Sequence, residues 1–177
     1  LVGYALFTLT GGHVTTTYTM GNAVYCMLRH PDQWELLKRQ PELVAKAVEE
    51  VLRYESASRG LVARWATEDL ELCGKRIRKG ELAYGITAAA DRDPAFFPDP
   101  DRFDIRRERN FHLAFGGGPH VCVGQFVARV EIQEMLLALS QRLPDIELDG
   151  PPKVDPQWIV RGFESLRLKW TPRPSWM

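Results

Sequence analysis

The chain has 177 residues, 45% of them hydrophobic and 26% charged, with 23 Lys plus Arg against 23 Asp plus Glu. That is the composition of one ordinary globular domain, and the zero net charge argues against a broad nucleic-acid footprint. No apolar run is long enough to cross a bilayer, and the opening LVGYALFTLTGG lacks the basic start of a signal peptide.

Residues 2–29 read as one long helix, with apolar positions at Leu6, Leu9, Met20, Val24, Met27 and Leu28. Gly11, Gly12 and the run Thr15-Thr16-Thr17 are poor helix formers, so a kink is expected there. The chain starts without Met and inside this pattern, which reads as a fragment or a processed chain. Pro31 opens a short helix over about 31–39. A third helix runs from Pro41 to about Tyr54, with Leu43, Ala47, Val48, Val51 and Leu52 on its apolar side.

Residues 61–87, with the alternation Leu70-Glu71-Leu72 and turns at Gly74 and Gly80, read as two or three short strands. From Asp91 to Phe111 the pattern is a long loop, usually functional in a compact domain. A periodic helix follows over about Gln125–Leu143. The rest is Pro-rich and irregular, with a strand expected at Leu166–Trp170.

Cys26, Cys73 and Cys122 are far apart and form no CxxC pair, so neither a zinc site nor a disulfide framework is expected, and a reducing, cytoplasmic compartment fits. Cys26 and Cys73 read as structural, buried thiols. Cys122 lies in Phe115-Gly116-Gly117-Gly118-Pro119-His120-Val121-Cys122-Val123-Gly124, a glycine-rich loop that runs into a helix. A phosphate cradle would need a Lys-Ser/Thr pair after the last glycine, but Gln125-Phe126 follows. A dinucleotide fingerprint would need a βαβ context that is missing.

A thiolate site fits better. A helix N-terminus favours an anion and lowers a thiol's pKa. The glycines let backbone amides approach the sulfur, and Gly124 lets the next helix lie against a large planar ligand. The competing reading is a buried cysteine in a glycine-rich turn.

Phe115, Gly116, Gly118, His120, Cys122 and Gly124 together resemble the haem-binding signature of the cytochromes P450. That resemblance implies a mainly α fold with small β-sheets. The whole of residues 1–177 would then be part of one P450 domain, running from the oxygen-binding helix to the terminal strands without the amino-terminal part. It implies haem b as cofactor, with Cys122 as the iron ligand, and His120 and Arg64 as propionate contacts. The Glu50-Val51-Leu52-Arg53 sequence resembles the family's ExxR pair, whose third partner would be Arg102, bracing the haem loop. Gly12 would mark the dioxygen groove, and Thr15 would be the alcohol that assists protonation. The family usually has an acid before that Thr, but here it is Val14. The proton route would then pass through water, Thr15, His13 or the substrate.

The implied reaction is monooxygenation of a small organic substrate, fed by a ferredoxin and its reductase, in an enzyme of the soluble bacterial branch without membrane or nucleic-acid partners. The thiolate would push electron density toward the iron and favour O–O cleavage. Ala57–Val62 and Phe163–Ser165 are the stretches here that would line the substrate pocket, and 106–109 reads as a solvated loop or a basic docking surface. Three alternatives stay open: a fragment inactive alone, a haem-thiolate enzyme with peroxide-driven or non-hydroxylating chemistry, and a non-enzymatic haem module.

Overall fold

The structure is a computed structural model that describes residues 1–60 and 62–171. Helix α1 spans Val2–Arg29 and does not break at the glycine and threonine run. The threonine hydroxyls donate back to carbonyls four residues earlier, Thr15 Oγ1 to Gly11 O at 2.6 Å and Thr19 Oγ1 to Thr15 O at 2.8 Å. These bonds satisfy the side chains within the helix, so the hydrogen-bonded element runs unbroken through the glycine and threonine run.

Two prolines set the next breaks. A residue before proline is pushed out of the α region. His30 (φ −126°, ψ 74°) and Gln40 (φ −131°, ψ 72°) accordingly end α1 and α2, which spans Pro31–Arg39. Asp32 in the first turn of α2 and Lys38 and Arg39 in its last turn complement the helix dipole. A 3-10 turn at Pro41–Leu43 leads into α3, Val44–Tyr54. Val44, Ala47, Val48, Val51 and Leu52 form a buried stripe at helical spacing. It packs with Ala23, Met27, Trp34, Leu37, Ile132 and Leu136 into one core, joined by Phe103 and Ile105 from the long loop.

Residues 62–85 form four strands: β1 Val62–Trp65, β2 Leu70–Leu72, β3 Lys75–Ile77 and β4 Leu82–Gly85. The inner pair β2–β3 is a hairpin nested inside the antiparallel pair β1–β4. Its two-residue turn is Cys73-Gly74, with φ of +50° and +72°, the geometry that suits the twist of a tight hairpin. Cys73 is therefore an exposed turn residue and not a buried thiol, whereas Cys26 is buried as expected.

After α4 (Thr87–Ala90) the loop runs without strands or long helices to α5, Gln125–Arg142. The tail is more ordered than expected. Short strands β5 Glu147–Leu148 and β8 Leu168–Lys169 pair antiparallel, as do β6 Lys153–Val154 and β7 Phe163–Ser165. No helix among the described residues is long and apolar enough to cross a membrane.

Candidate functional site

A buried ion cluster lies beneath the loop. Glu50 and Arg53 are one turn apart on α3 and both fully buried. Arg53 uses all five of its N–H donors. It gives Nε to Glu50 Oε2 at 2.8 Å and Nη2 to Glu50 Oε1 at 2.8 Å. It also gives Nη1 to the carbonyls of Asp91 (3.0 Å) and Pro100 (2.8 Å), and Nη2 to that of Arg102 (3.2 Å). One helical pair thus pins three points of the loop backbone.

The third charged partner is Arg107, not Arg102. Arg107 Nε lies 3.1 Å from Glu50 Oε2, and its side chain is only 11% exposed. Its other donors reach the carbonyls of Pro98, Asp99 and Arg102. Arg102 contributes its carbonyl, while its guanidinium turns outward, 64% exposed, toward Asp104. The reason is the turn at Asp104, whose own amide donates to Glu50 Oε1 at 2.9 Å and whose carbonyl accepts from Arg107 N–H. The turn returns the chain over the carboxylate five residues after Arg102. The stretch 106–109 is accordingly not simply a solvated loop.

Asp91, at the end of α4, ties the cluster to the cysteine loop. Its Oδ1 accepts from Leu113 N–H at 2.7 Å, while Oδ2 is buried without a partner among the described residues. Burial pushes its carboxyl above the usual range.

The cysteine loop is then built by backbone bonds. Gly116 N–H donates to Leu113 O at 2.8 Å, Val121 N–H to Gly118 O at 3.1 Å, and Cys122 N–H to Phe115 O at 3.0 Å. Gly116 (φ +70°) and Gly118 (φ +68°) occupy the left-handed region, which an L side chain enters only at a cost. Cys122 leaves this loop exposed, three residues before the first residue of α5. A Cβ at Gly124 would stand 3.9 Å from its Sγ. Val121, Val123, Phe126 and Val127, its near neighbours along the chain, are exposed apolar side chains.

The remaining expected residues lie on β1, on the cysteine loop and on α1. Arg64 is exposed on β1 and donates to Ala63 O at 2.8 Å. His120 is exposed on the 3-10 turn Gly118–His120. Neither has an ion pair among the described residues. On α1 a Cβ at Gly12 would meet nothing within 4 Å, and the Thr15 hydroxyl is turned to its own helix. Val14 leaves that stretch without the usual acid. Of the expected pocket-lining stretches, Ala57 is buried, the Phe163 ring packs 5.0 Å from that of Tyr25, and Leu61 lies outside the described residues.

Sequence reasoning missed a second cluster. Glu49 on α3 takes Arg129 of α5 in a two-point grip, Nε to Oε1 at 2.6 Å and Nη2 to Oε2 at 3.0 Å. It also lies 3.0 Å from His112 Nε2. Burial would raise the Glu49 carboxyl, but the bonds from His112 and Arg129 overcome this and hold it at about 2. The only local signal was the doubled acid Glu49-Glu50; its partners lie 63 and 80 residues away.

Residues 33–170 match the sequence profile of the family described as Cytochrome P450. The chain belongs to the cytochrome P450 family. It is 46% identical over 158 residues to the biotin biosynthesis cytochrome P450 of Bacillus subtilis, covering 88% of this chain and 38% of that protein. It is 47% identical over 167 residues to nocardicin C N-oxygenase of Nocardia uniformis, covering 92% and 42%. Among solved structures it superposes on CYP109E1 of Bacillus megaterium in complex with testosterone with a TM-score of 0.93 at 35% identity, covering 97% of this chain and 48% of that one. It also superposes on P450BioI in complex with a fatty-acid-ligated acyl carrier protein, with a TM-score of 0.88 at 43% identity, covering 91% and 42%. The P450 fold is therefore present in part: the chain spans about 40% of the length of these curated relatives.

Proposed function

We propose that this chain is the haem-binding, carboxy-terminal portion of a haem-thiolate monooxygenase, with Cys122 as the iron ligand. The observation that carries the reading is the presentation of Cys122. Its thiol is exposed at the entry to an 18-residue helix, on a loop held by two left-handed glycines, among uncovered apolar side chains. A buried structural cysteine has none of these features, and a helix N-terminus stabilises a thiolate.

The residues fit a haem. Its apolar plane suits Val123 and Phe126, and its two carboxylates suit the Arg64 guanidinium and a ring N–H of His120, neither with an acidic partner among the described residues. Bound there, haem b would supply the oxidising chemistry that inserts one atom of dioxygen into a small organic substrate. Thr15 would release its bond to Gly11 O to hold a proton near the substrate side, and the open space at Gly12 would admit dioxygen. Electrons would come from a ferredoxin and its reductase. The three unpaired cysteines support a reducing compartment.

The test is the absorbance spectrum of the reduced, carbon-monoxide-treated protein after haem loading. A strongly red-shifted Soret band, lost in Cys122→Ala, is expected. A band at the position typical of imidazole ligation would defeat the assignment of Cys122. Val14 in place of an acid favours a second reading, in which peroxide drives turnover. Faster turnover with peroxide than with reductase would support it, and strict reductase dependence would remove it.

A further inference from the structure

We propose that Arg129, gripped by Glu49, is a positioning residue: it holds the Phe115 ring and thereby sets where the Cys122 sulfur is presented. The role given to the sulfur rests on the haem-thiolate reading above.

Phe115 is the hinge of the cysteine loop, because its carbonyl accepts the Cys122 amide at 3.0 Å. Anything that fixes Phe115 fixes one end of that bond. The Arg129 guanidinium carbon stands 4.6 Å from the Phe115 ring centroid, within range for a cation over an aromatic face. That guanidinium cannot swing away freely. Glu49 holds it at two points, and Arg129 Nη1 donates to Gln125 Oε1 at 2.9 Å.

Glu49 also reaches the hinge by a second route. Ala114 N–H donates to His112 Nδ1 at 3.2 Å, so Nδ1 carries a lone pair and the imidazole proton sits on Nε2, from which it donates to Glu49 Oε2 at 3.0 Å. The His112 side chain is 2% exposed. One carboxylate on α3 thus restrains Phe115 through Arg129 onto its ring and through His112 onto the preceding amide. An ordinary surface ion pair would contribute little and would bear on nothing else. This pair is bidentate, has a third donor, and is stacked on the residue that closes the loop.

Arg129→Lys is the informative variant, since it keeps the charge but loses the planar fork that grips Glu49 and covers the ring. Glu49→Gln is the second, weakening the grip from the other side with little change of shape. The first readout needs no haem: amide hydrogen exchange at Gly116 and Cys122, with Val51 and Leu52 of α3 as internal references. Both variants should speed exchange at the loop by about fivefold or more while the references move by less than about twofold. The second readout is the share of the red-shifted Soret band in the haem-loaded, reduced, carbon-monoxide-treated protein, which should fall in both. Unchanged loop exchange overturns the proposal, and so does equal acceleration at loop and references, which would mean general destabilisation. Faster loop exchange with an unchanged thiolate band severs the link to the sulfur and overturns it likewise. A wild-type protein without any thiolate band would defeat the haem reading instead, and the exchange rates would still decide whether Arg129 holds the loop.

Discussion

Arg107 Nε sits 3.1 Å from Glu50 Oε2, inside a cluster where Glu50 already carries both bonds from Arg53. Two arginines on one fully buried carboxylate leave net positive charge, and the loop carbonyls of Asp91, Pro98, Asp99, Pro100 and Arg102 absorb it. The cluster is at once an ion pair and the frame on which the long loop is hung.

Arg107→Ala should therefore cost about 2 kcal/mol, the scale of hydrogen bonds to a charged group. Arg102→Ala should cost less than about 1 kcal/mol, because its exposed guanidinium pairs with Asp104 alone among the described residues. Equilibrium urea unfolding of the two variants side by side checks the order. A larger loss for Arg102→Ala would reverse the assignment.

Arg53→Ala should be the most damaging change in the loop frame. It leaves Glu50 without its bidentate partner and strips the carbonyls of Asp91, Pro100 and Arg102 of a donor, a loss of about 4 kcal/mol. The expected outcome is a protein that unfolds at much lower urea, or fails to accumulate in soluble form.

Gly116→Ala and Gly118→Ala each force a side chain into the left-handed region and should each cost about 1–2 kcal/mol. Gly117→Ala is the control: a Cβ there meets nothing within 4 Å and its φ of −159° is extended backbone. Thermal unfolding should separate the first two from the third, and a similar loss in all three would count against the loop geometry.

The pH dependence follows from Glu49. Its folded value, about 2, lies below the ordinary carboxylate range. A depressed acid contributes stability that is fully present above its unfolded value near 4.5 and is lost as pH falls toward 2. Urea midpoints between pH 5 and pH 2 should thus fall less steeply in Glu49→Gln than in the parent chain. Parallel curves would show that Glu49 is not held as described.

The exposed apolar faces predict self-association of the chain by itself. Leu6, Phe7 and Leu9 on α1 and Phe126, Val127 and Val130 on α5 are each more than half exposed, an amount of apolar surface that soluble monomers seldom leave open. Phe126→Glu with Val130→Glu should lower light scattering at equal concentration. No change would move the association to another face.

Much of this was legible in the sequence because it is written locally. The proline breaks at Pro31 and Pro41, the apolar stripe of α3 and the glycine-rich entry to α5 are each set by steric rules acting over a few residues, and the structure follows them. The Glu50–Arg53 pair is likewise one helical turn. The threonine run stays inside α1 because its hydroxyls donate to the carbonyls four residues back.

Other features depended on the path of the chain through space. Arg102 and Arg107 are chemically identical, and only the turn at Asp104 decides which guanidinium meets Glu50. Cys73 reads like any small thiol until β2 pairs with β3 and leaves it in the turn. Glu49 meets Arg129 across 80 residues, a contact that no periodicity encodes because it exists only once α3 and α5 share a core. The sequence by itself determined the helices and their proline breaks, the cysteine loop and the family, through backbone sterics and a local pattern of identities. The tertiary structure alone decided which distant charges meet, since burial makes an unpaired charge costly and the fold must bring whichever partner its turns can deliver.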